Sequence, residues 1–153
     1  GASVRAAFEQ IQNRLSALDR LSEMDGVVVQ RMLQGGVETF VGMAQDPSYG
    51  PLLGFGIGGV NVEVWKDVVF RVHPLADNDA HDMLDQIRGR KLLEGFRGAL
   101  AADKAALVDV LLRVSRMVGD LPEIRELDIN PLLALPLGQG AIALDARIRV
   151  SAS

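Results

Sequence analysis

From Leu127 to Arg147 the chain alternates in two short arms around a glycine-containing turn. The first arm is Glu126-Leu127-Asp128-Ile129-Asn130-Pro131-Leu132, the turn is Leu137-Gly138-Gln139-Gly140, and the second arm is Ala141-Ile142-Ala143-Leu144-Asp145-Ala146-Arg147. Larger apolar residues recur at every second position, which is the period of a strand with one buried face. Leu127, Ile129, Ile142 and Leu144 mark that face. Between them, or just after, sit Asp128, Asn130 and Asp145. Two antiparallel strands joined at such a turn bring these oxygen-bearing side chains near one another. Carboxylate and amide oxygens so placed suit a hard divalent ion such as magnesium, which keeps waters and shares its shell with phosphates. Two strands with ordinary polar faces fit the same residues.

The rest of the chain must supply something for this pair to pack on. Val4, Phe8, Ile11, Leu15 and Leu18 step at three and four residues, predicting a helix over 4–18 with a core-facing stripe and Ser3 as N-cap. Val27-Val28-Val29 is a continuous apolar run that predicts a strand covered on both faces. Val37 to Met43 reads as a strand with Glu38 near its start, and Asp46-Pro47-Ser48-Tyr49-Gly50-Pro51 as the turn of a hairpin. Gly54-Phe55-Gly56-Ile57-Gly58-Gly59 follows. Its glycines either let backbone approach a ligand or mark a bulged or kinked strand edge. No Gly-Lys-Ser/Thr follows, which excludes a Walker phosphate loop, and no helix pattern follows, which argues against a dinucleotide fingerprint. Val60 to Val64 alternates again, and Val68 to Val72 is a strand interrupted by Arg71.

The carboxyl-terminal half is helical at first. Asp77 to Arg88 reads as a helix opened by Asp77 or Asn78, holding Ala80, Leu84 and Ile87 inside and closed by Gly89. Lys91 to Gly95 forms a short turn. Asp103 to Val118 is the clearest helix, with Leu107, Val108, Leu111, Leu112, Val114 and Val118 in one stripe, Asp103 as cap and Gly119 as terminator. The order of helix, strands, helices and two strands defines an α+β fold with a mainly antiparallel sheet and helices packed on it.

Composition narrows the function. At 153 residues, 48% apolar and 24% charged, the chain can build one domain with a real core. A net charge of -4 argues against nonspecific nucleic-acid binding. The absence of cysteine excludes disulfides, thiolate metal sites and thiol nucleophiles. No apolar run nears the ~20 residues that span a bilayer, and no signal peptide is legible, so neither a membrane nor a nucleic acid is an expected partner and the default location is cytoplasmic. His73 and His81 lack a serine, cysteine or second histidine at useful spacing, and no serine sits in a nucleophile elbow.

Taken together, these stretches resemble the ATP-grasp module of NDP-forming acyl-CoA synthetases, the group that includes ADP-forming acetyl-CoA synthetase and, more distantly, the β subunit of succinyl-CoA synthetase. Val28 to Met32, Gly36-Val37-Glu38, Gly42 through Pro47, Tyr49 to Leu52 and Phe55 to Gly59 carry the match. So do Val62-Glu63-Val64 with Lys66-Asp67-Val68, Phe70-Arg71, Pro74-Leu75, Leu92 to Gly95, Arg97-Gly98, Glu123-Ile124, Glu126 to Leu132 and Leu144 to Arg147.

The resemblance implies ATP or ADP and Mg2+ as cofactors. It makes Gln30, Arg31 and Met32 the hinge whose backbone holds adenine, and Glu38 a contact to the ribose or phosphates. Asn130 and Asp145 take the magnesium positions, with Asp128 beside them, and Glu63 and Arg71 are further candidates. It implies residues 4–33 as a remnant of an N-terminal subdomain with the hinge, and 34–150 as the C-terminal subdomain. The earlier strands with their phosphate-binding lysine find no counterpart here, and the family's phosphohistidine lies outside the matched stretches. The expectation is therefore a part of a larger acyl-CoA synthetase, inactive alone, with CoA-binding and ligase domains as partners. The alternatives are a ligand-sensing or regulatory unit, such as one fused to an acetyltransferase, or an interaction scaffold. An unpaired strand at Val27 to Gln30 would invite homodimerisation.

Overall fold

The computed structural model describes residues 1–58 and 67–151. It divides into two compact units, Gly1–Gln34 and Gly35–Ser153. The first unit holds helix α1 (Ala2–Ala17) and a single 3-10 turn at Leu21–Glu23. The expected helix forms, but Ser3 lies inside it and Gly1 takes the N-cap position. Its stripe is not core-facing either. None of its residues is buried, and Val4, Ile11 and Leu18 are exposed. Val27 to Val29, expected as a covered strand, belong to no strand and are also exposed. A strand needs a neighbour to bond with, and residues 1–34 contain no other strand.

The second unit is a sheet with helices on one side. Its strands are β1 (Val37–Asp46), β2 (Gly50–Ile57), β3 (Val68–Val72), β4 (Ile124–Ala134), β5 (Ala141–Ala143) and β6 (Ala146–Val150). They lie in the order β3-β2-β1-β4-β5, with β6 also paired to β4, and every pairing is antiparallel. β1 and β2 form the expected hairpin. Asp46 closes it, its Oδ1 accepting from the Ser48 and Tyr49 amides at 2.8 and 3.0 Å. This is the aspartate-closed turn that the Asp46-Pro47-Ser48 sequence announces.

Alternation along the strands sends one set of side chains inward. Val41 and Met43 of β1 stand beside Phe55 and Leu53 of β2, and on the other side beside Ile129 and Leu127 of β4. They pack with Ala80, Met83 and Leu84 of α2 (Asp77–Gln86), Ile87, and Leu93 of the short α3 (Arg90–Leu93). Leu107, Leu111, Val114 and Val118 of α4 (Lys104–Asp120) complete the core. Burying each of the larger of these side chains stabilises the fold by about 1.5–3 kcal/mol before the entropy of ordering is counted.

α4 begins as its sequence dictates. The Asp103 carboxylate accepts from the Ala106 amide at 3.2 Å, and its other oxygen accepts from the Gly140 amide at 2.9 Å. One side chain thus caps a helix and holds the β4–β5 turn. α4 does not stop at Gly119 but runs on to Asp120. Gly119 lies against the His73 imidazole, and a Cβ there would come 3.0 Å from His73 Nε2. α2 likewise starts at Asp77 with Ala76 as N-cap, and Asp79 accepts from the Ala76 amide at 2.9 Å. No helix among the described residues is long and apolar enough to cross a membrane.

Candidate functional site

The helices cover one side of the sheet, and the alternate positions of its strands form the open side. One row across it reads Phe70, Gly54, Gly42, Asp128, Arg147. The next reads Val72, Leu52, Ala44, Glu126, Arg149. Small residues in the middle make a shallow depression of about 210 Å³, lined by Phe40, Gly42, Ala44, Leu52, Gly54, Phe70, Glu126 and Asp128 among others.

Gly54 and Gly56 of the glycine-rich run belong to this face, while Gly59 and the alternating stretch 60–64 lie outside the described residues. β2 is neither bulged nor at an edge: its pairing with β1 is continuous from Gly50 to Ile57, and β3 flanks it on the other side. Its glycines leave room for aromatic rings to lie against the strand. A Cβ at Gly54 would come within 2.9 Å of Phe70 Cε1, and one at Gly56 within 2.6 Å of Phe40 Cε1 and against the Asp67 carbonyl oxygen.

The irregularity lies instead in β4. Thr39 pairs with Leu132 and Val41 with Ile129, so Phe40 alone stands opposite both Asn130 and Pro131. Two residues against one is a β-bulge, a feature frequent beside active sites because it re-aims a side chain. Proline, having no amide hydrogen, cannot donate to a ladder there. The buried Thr39 hydroxyl donates to the Leu132 carbonyl at 2.8 Å and braces the far side of the bulge.

Opposite the bulge the second arm also breaks. The sequence suggests one strand from Ala141 to Arg147, but β5 ends at Ala143 and β6 begins at Ala146. Leu144 and Asp145 fill the gap, tied to the bulge by the main chain: Asn130 N–H donates to Asp145 O at 3.1 Å and Leu144 N–H to Pro131 O at 2.9 Å. Asp128 is the register partner of Arg147, whose Nε lies 3.7 Å from Asp145 Oδ2. Register and main-chain bonds therefore bring the backbones of Asp128, Asn130 and Asp145 close where bulge meets break. Burial pushes the Asp128 carboxyl up; Arg147 opposes the rise, and the Asp145 and Glu126 carboxylates add to it. Among the described residues no three His, Cys, Asp or Glu side chains converge to hold a metal ion by themselves. Two carboxylates and an amide oxygen are hard donors. They fit a partly hydrated ion that completes its shell from a ligand, which is the habit of magnesium.

The other sequence candidates fall as follows. Glu38 is exposed and lies, by alternation from the inward Thr39, on the same open side as Phe40. It is two residues beyond the bulge, roughly 7 Å along the strand. Arg71 is not brought to this cluster: its position alternates to the helix side, where its guanidinium donates to Gln86 Oε1 of α2 at 2.7 Å. Glu63 lies outside the described residues. Gln30, Arg31 and Met32 belong to the first unit, are in no helix or strand, and Gln30, Arg31 and Met32 alike are exposed. Phe40, Phe70, Glu126 and Arg147 also belong to this face, though no local motif marks them. Arg147 was within reach, since it follows Asp145 by two residues and Asp128 lies opposite.

An antiparallel sheet with one face covered by helices and the other open defines an α+β domain. Comparison with known proteins gives the family. A family model described as an ATP-grasp domain matches residues 1–150, and the chain belongs to that family. It is 40% identical over 147 residues to the ADP-forming 4-hydroxybutyrate–CoA ligase of Nitrosopumilus maritimus, covering 96% of this chain and 21% of that protein. It is 39% identical over 146 residues to the β subunit of the ADP-forming acetate–CoA ligase II of Pyrococcus furiosus, covering 95% of this chain and 62% of the subunit.

Among solved structures it resembles the dinucleotide-forming acetyl-coenzyme A synthetase 1 of Ca. Korarchaeum cryptofilum in complex with coenzyme A and Mg-AMPPCP. The TM-score is 0.78 and the identity 38%, over 92% of this chain and 63% of that one. The chain thus spans about a fifth of the 4-hydroxybutyrate–CoA ligase and about three fifths of the β subunit.

Proposed function

We propose that this chain is the nucleotide- and magnesium-binding part of an NDP-forming acyl-CoA synthetase, which interconverts acyl-CoA, ADP and phosphate with acid, CoA and ATP. The gathering of Asp128, Asn130 and Asp145 at the bulge and break carries the reading. The activities of the relatives and the Mg-AMPPCP bound to one of them support it. Asn130 and Asp145 hold the ion, with Asp128 beside them. Magnesium, when bound, neutralises phosphate oxygens as charge shifts during phosphoryl transfer. Glu38 contacts the ribose or phosphates, and the backbone of Gln30 to Met32 holds adenine. Residues 4–33 are the remnant of an N-terminal subdomain with its hinge, and 34–150 the C-terminal subdomain.

Acyl phosphate and phosphohistidine chemistry requires groups not assigned in this chain, so the chain alone does not turn over. Its partners are the CoA-binding and ligase domains of the parent protein. Calorimetry of ADP and ATP with and without magnesium tests the reading. Binding should need the metal and weaken about tenfold or more in Asp145→Ala, as the loss of a charge-assisted ligand implies. Equal binding by the variant refutes the metal role. Self-association through Val27 to Gln30 rests on exposed Val28 and Val29 rather than on a strand edge. Sedimentation should show a dimer that a Val28→Lys change disperses, and a monomer at every concentration rules it out.

A further inference from the structure

The open face carries two arginines of β6 that look alike in sequence and differ in their bonds. Arg149 is committed: its Nε and Nη2 lie 3.0 and 2.9 Å from Glu126 Oε2. Arg147 is not. Among the described residues its nearest carboxylate oxygen, on Asp145, is 3.7 Å away, beyond hydrogen-bond reach, and its side chain is 83% exposed. It stands in register with Asp128 and two residues from Asp145, so one loosely held cation serves two carboxylates. A divalent ion entering among those carboxylates repels a guanidinium already there. The guanidinium sits on a long, exposed stem and can leave. A phosphate that arrives with the ion is a close new anion, and the planar fork of arginine donors matches its oxygens.

We propose that Arg147, set beside Asp128 and loosely paired with Asp145, is a positioning residue: the resident counter-ion of these carboxylates, which passes its guanidinium to a phosphate oxygen of the nucleotide when a divalent ion takes its place. This rests on reading the open face as a nucleotide–magnesium site. The divalent ion replaces the guanidinium at the two carboxylates, and the displaced guanidinium meets the phosphate.

The two halves of the exchange have opposite signs, which a purely structural role would not produce. Mn2+ binding alone is read by electron paramagnetic resonance, and Mg-ADP binding by calorimetry, on the full chain and its variants. Arg147→Gln should bind Mn2+ about two- to fivefold more tightly, the range spanned by an exposed ion pair. It should bind Mg-ADP about tenfold more weakly, as loss of a charge-assisted phosphate contact predicts. Arg147→Lys should recover part of the Mg-ADP affinity. Arg149→Gln, which only opens the Glu126 pair, should move neither affinity by more than about twofold. If Arg147→Gln shifts both affinities in one direction, or neither, the proposal is overturned while the site reading stands. If wild type binds no Mn2+, or binds it no better than Asp145→Ala does, the site reading falls and the proposal with it.

Discussion

At the scale of single residues, Asp103 shows how much one carboxylate can hold. The Gly140 and Ala106 amides donate to it and keep its carboxyl below the usual range. A carboxyl depressed in the folded state favours folding most when ionised. Its contribution is complete above the ordinary aspartate value near about pH 4 and is lost as pH falls through the depressed one. Asp103→Asn should therefore lower the urea midpoint at pH 7, and the gap to wild type should narrow on acidification. A gap unchanged at pH 3 would contradict this. The cap itself was legible because aspartate before an apolar helical stripe has one common use. Its second bond, to Gly140, was not, because nothing in sequence spacing reports contacts across 37 residues. Asp128, Asn130 and Asp145 stood out as oxygen-bearing residues on alternating arms, but alternation did not fix their pairing: Ile142 and Leu144, expected on the buried face, are exposed, and the second arm breaks at Leu144 and Asp145. Arg71 shows where that logic stops. One position along β3 separates the open face from the helix side, and alternation does not reveal which is which until a neighbouring strand anchors it.

At the scale of elements, the glycines of β2 make a quantitative claim. A side chain at Gly54 meets the far edge of Phe70, a ring 58% exposed and able to swing away. One at Gly56 meets Phe40 and also the Asp67 carbonyl, which is main chain and cannot. Gly56→Ala should cost about 1–3 kcal/mol, the usual range for forced overpacking. Gly54→Ala should cost distinctly less, and equal denaturant midpoints for the two would refute the distinction. The sequence showed a glycine cluster and left open whether it served a ligand or a kink; the rings that fill the space come from β1 and β3, which local pattern does not join to it. The bulge in β4 was equally hidden. Pro131 hints at an interrupted ladder, but only pairing with β1 shows that Phe40 faces two residues.

At the scale of the whole chain, the two units predict different local stability. α1 buries no residue, and an isolated helix of its 16 residues is marginal in water. β1, β4 and α4 share one core. Amide hydrogen exchange should find the β1 and β4 amides opening only with global unfolding, and those of α1 exchanging orders of magnitude faster. Comparable protection in α1 and β4 would overturn this. The amphipathic pattern correctly announced α1 as a helix and wrongly announced its burial, because periodicity reports a face and not what covers it.

The interrupted return strand bears on how sequences of this kind can drift in length. β5 and β6 bond to different stretches of β4, so Asp145 takes its position from β6 and from the main-chain ties to Asn130 and Pro131. Residues gained or lost at the tip, around Gly138 and Gln139, would strain the three-residue ladder of β5 and the Asp103–Gly140 bond but leave β6 and the ties at Asp145 in place. Inserted between Asp145 and Arg147, a single residue would turn every later side chain of β6 to the opposite face. Natural variation should thus gather at the turn and be purged from the three positions after it that begin at Asp145.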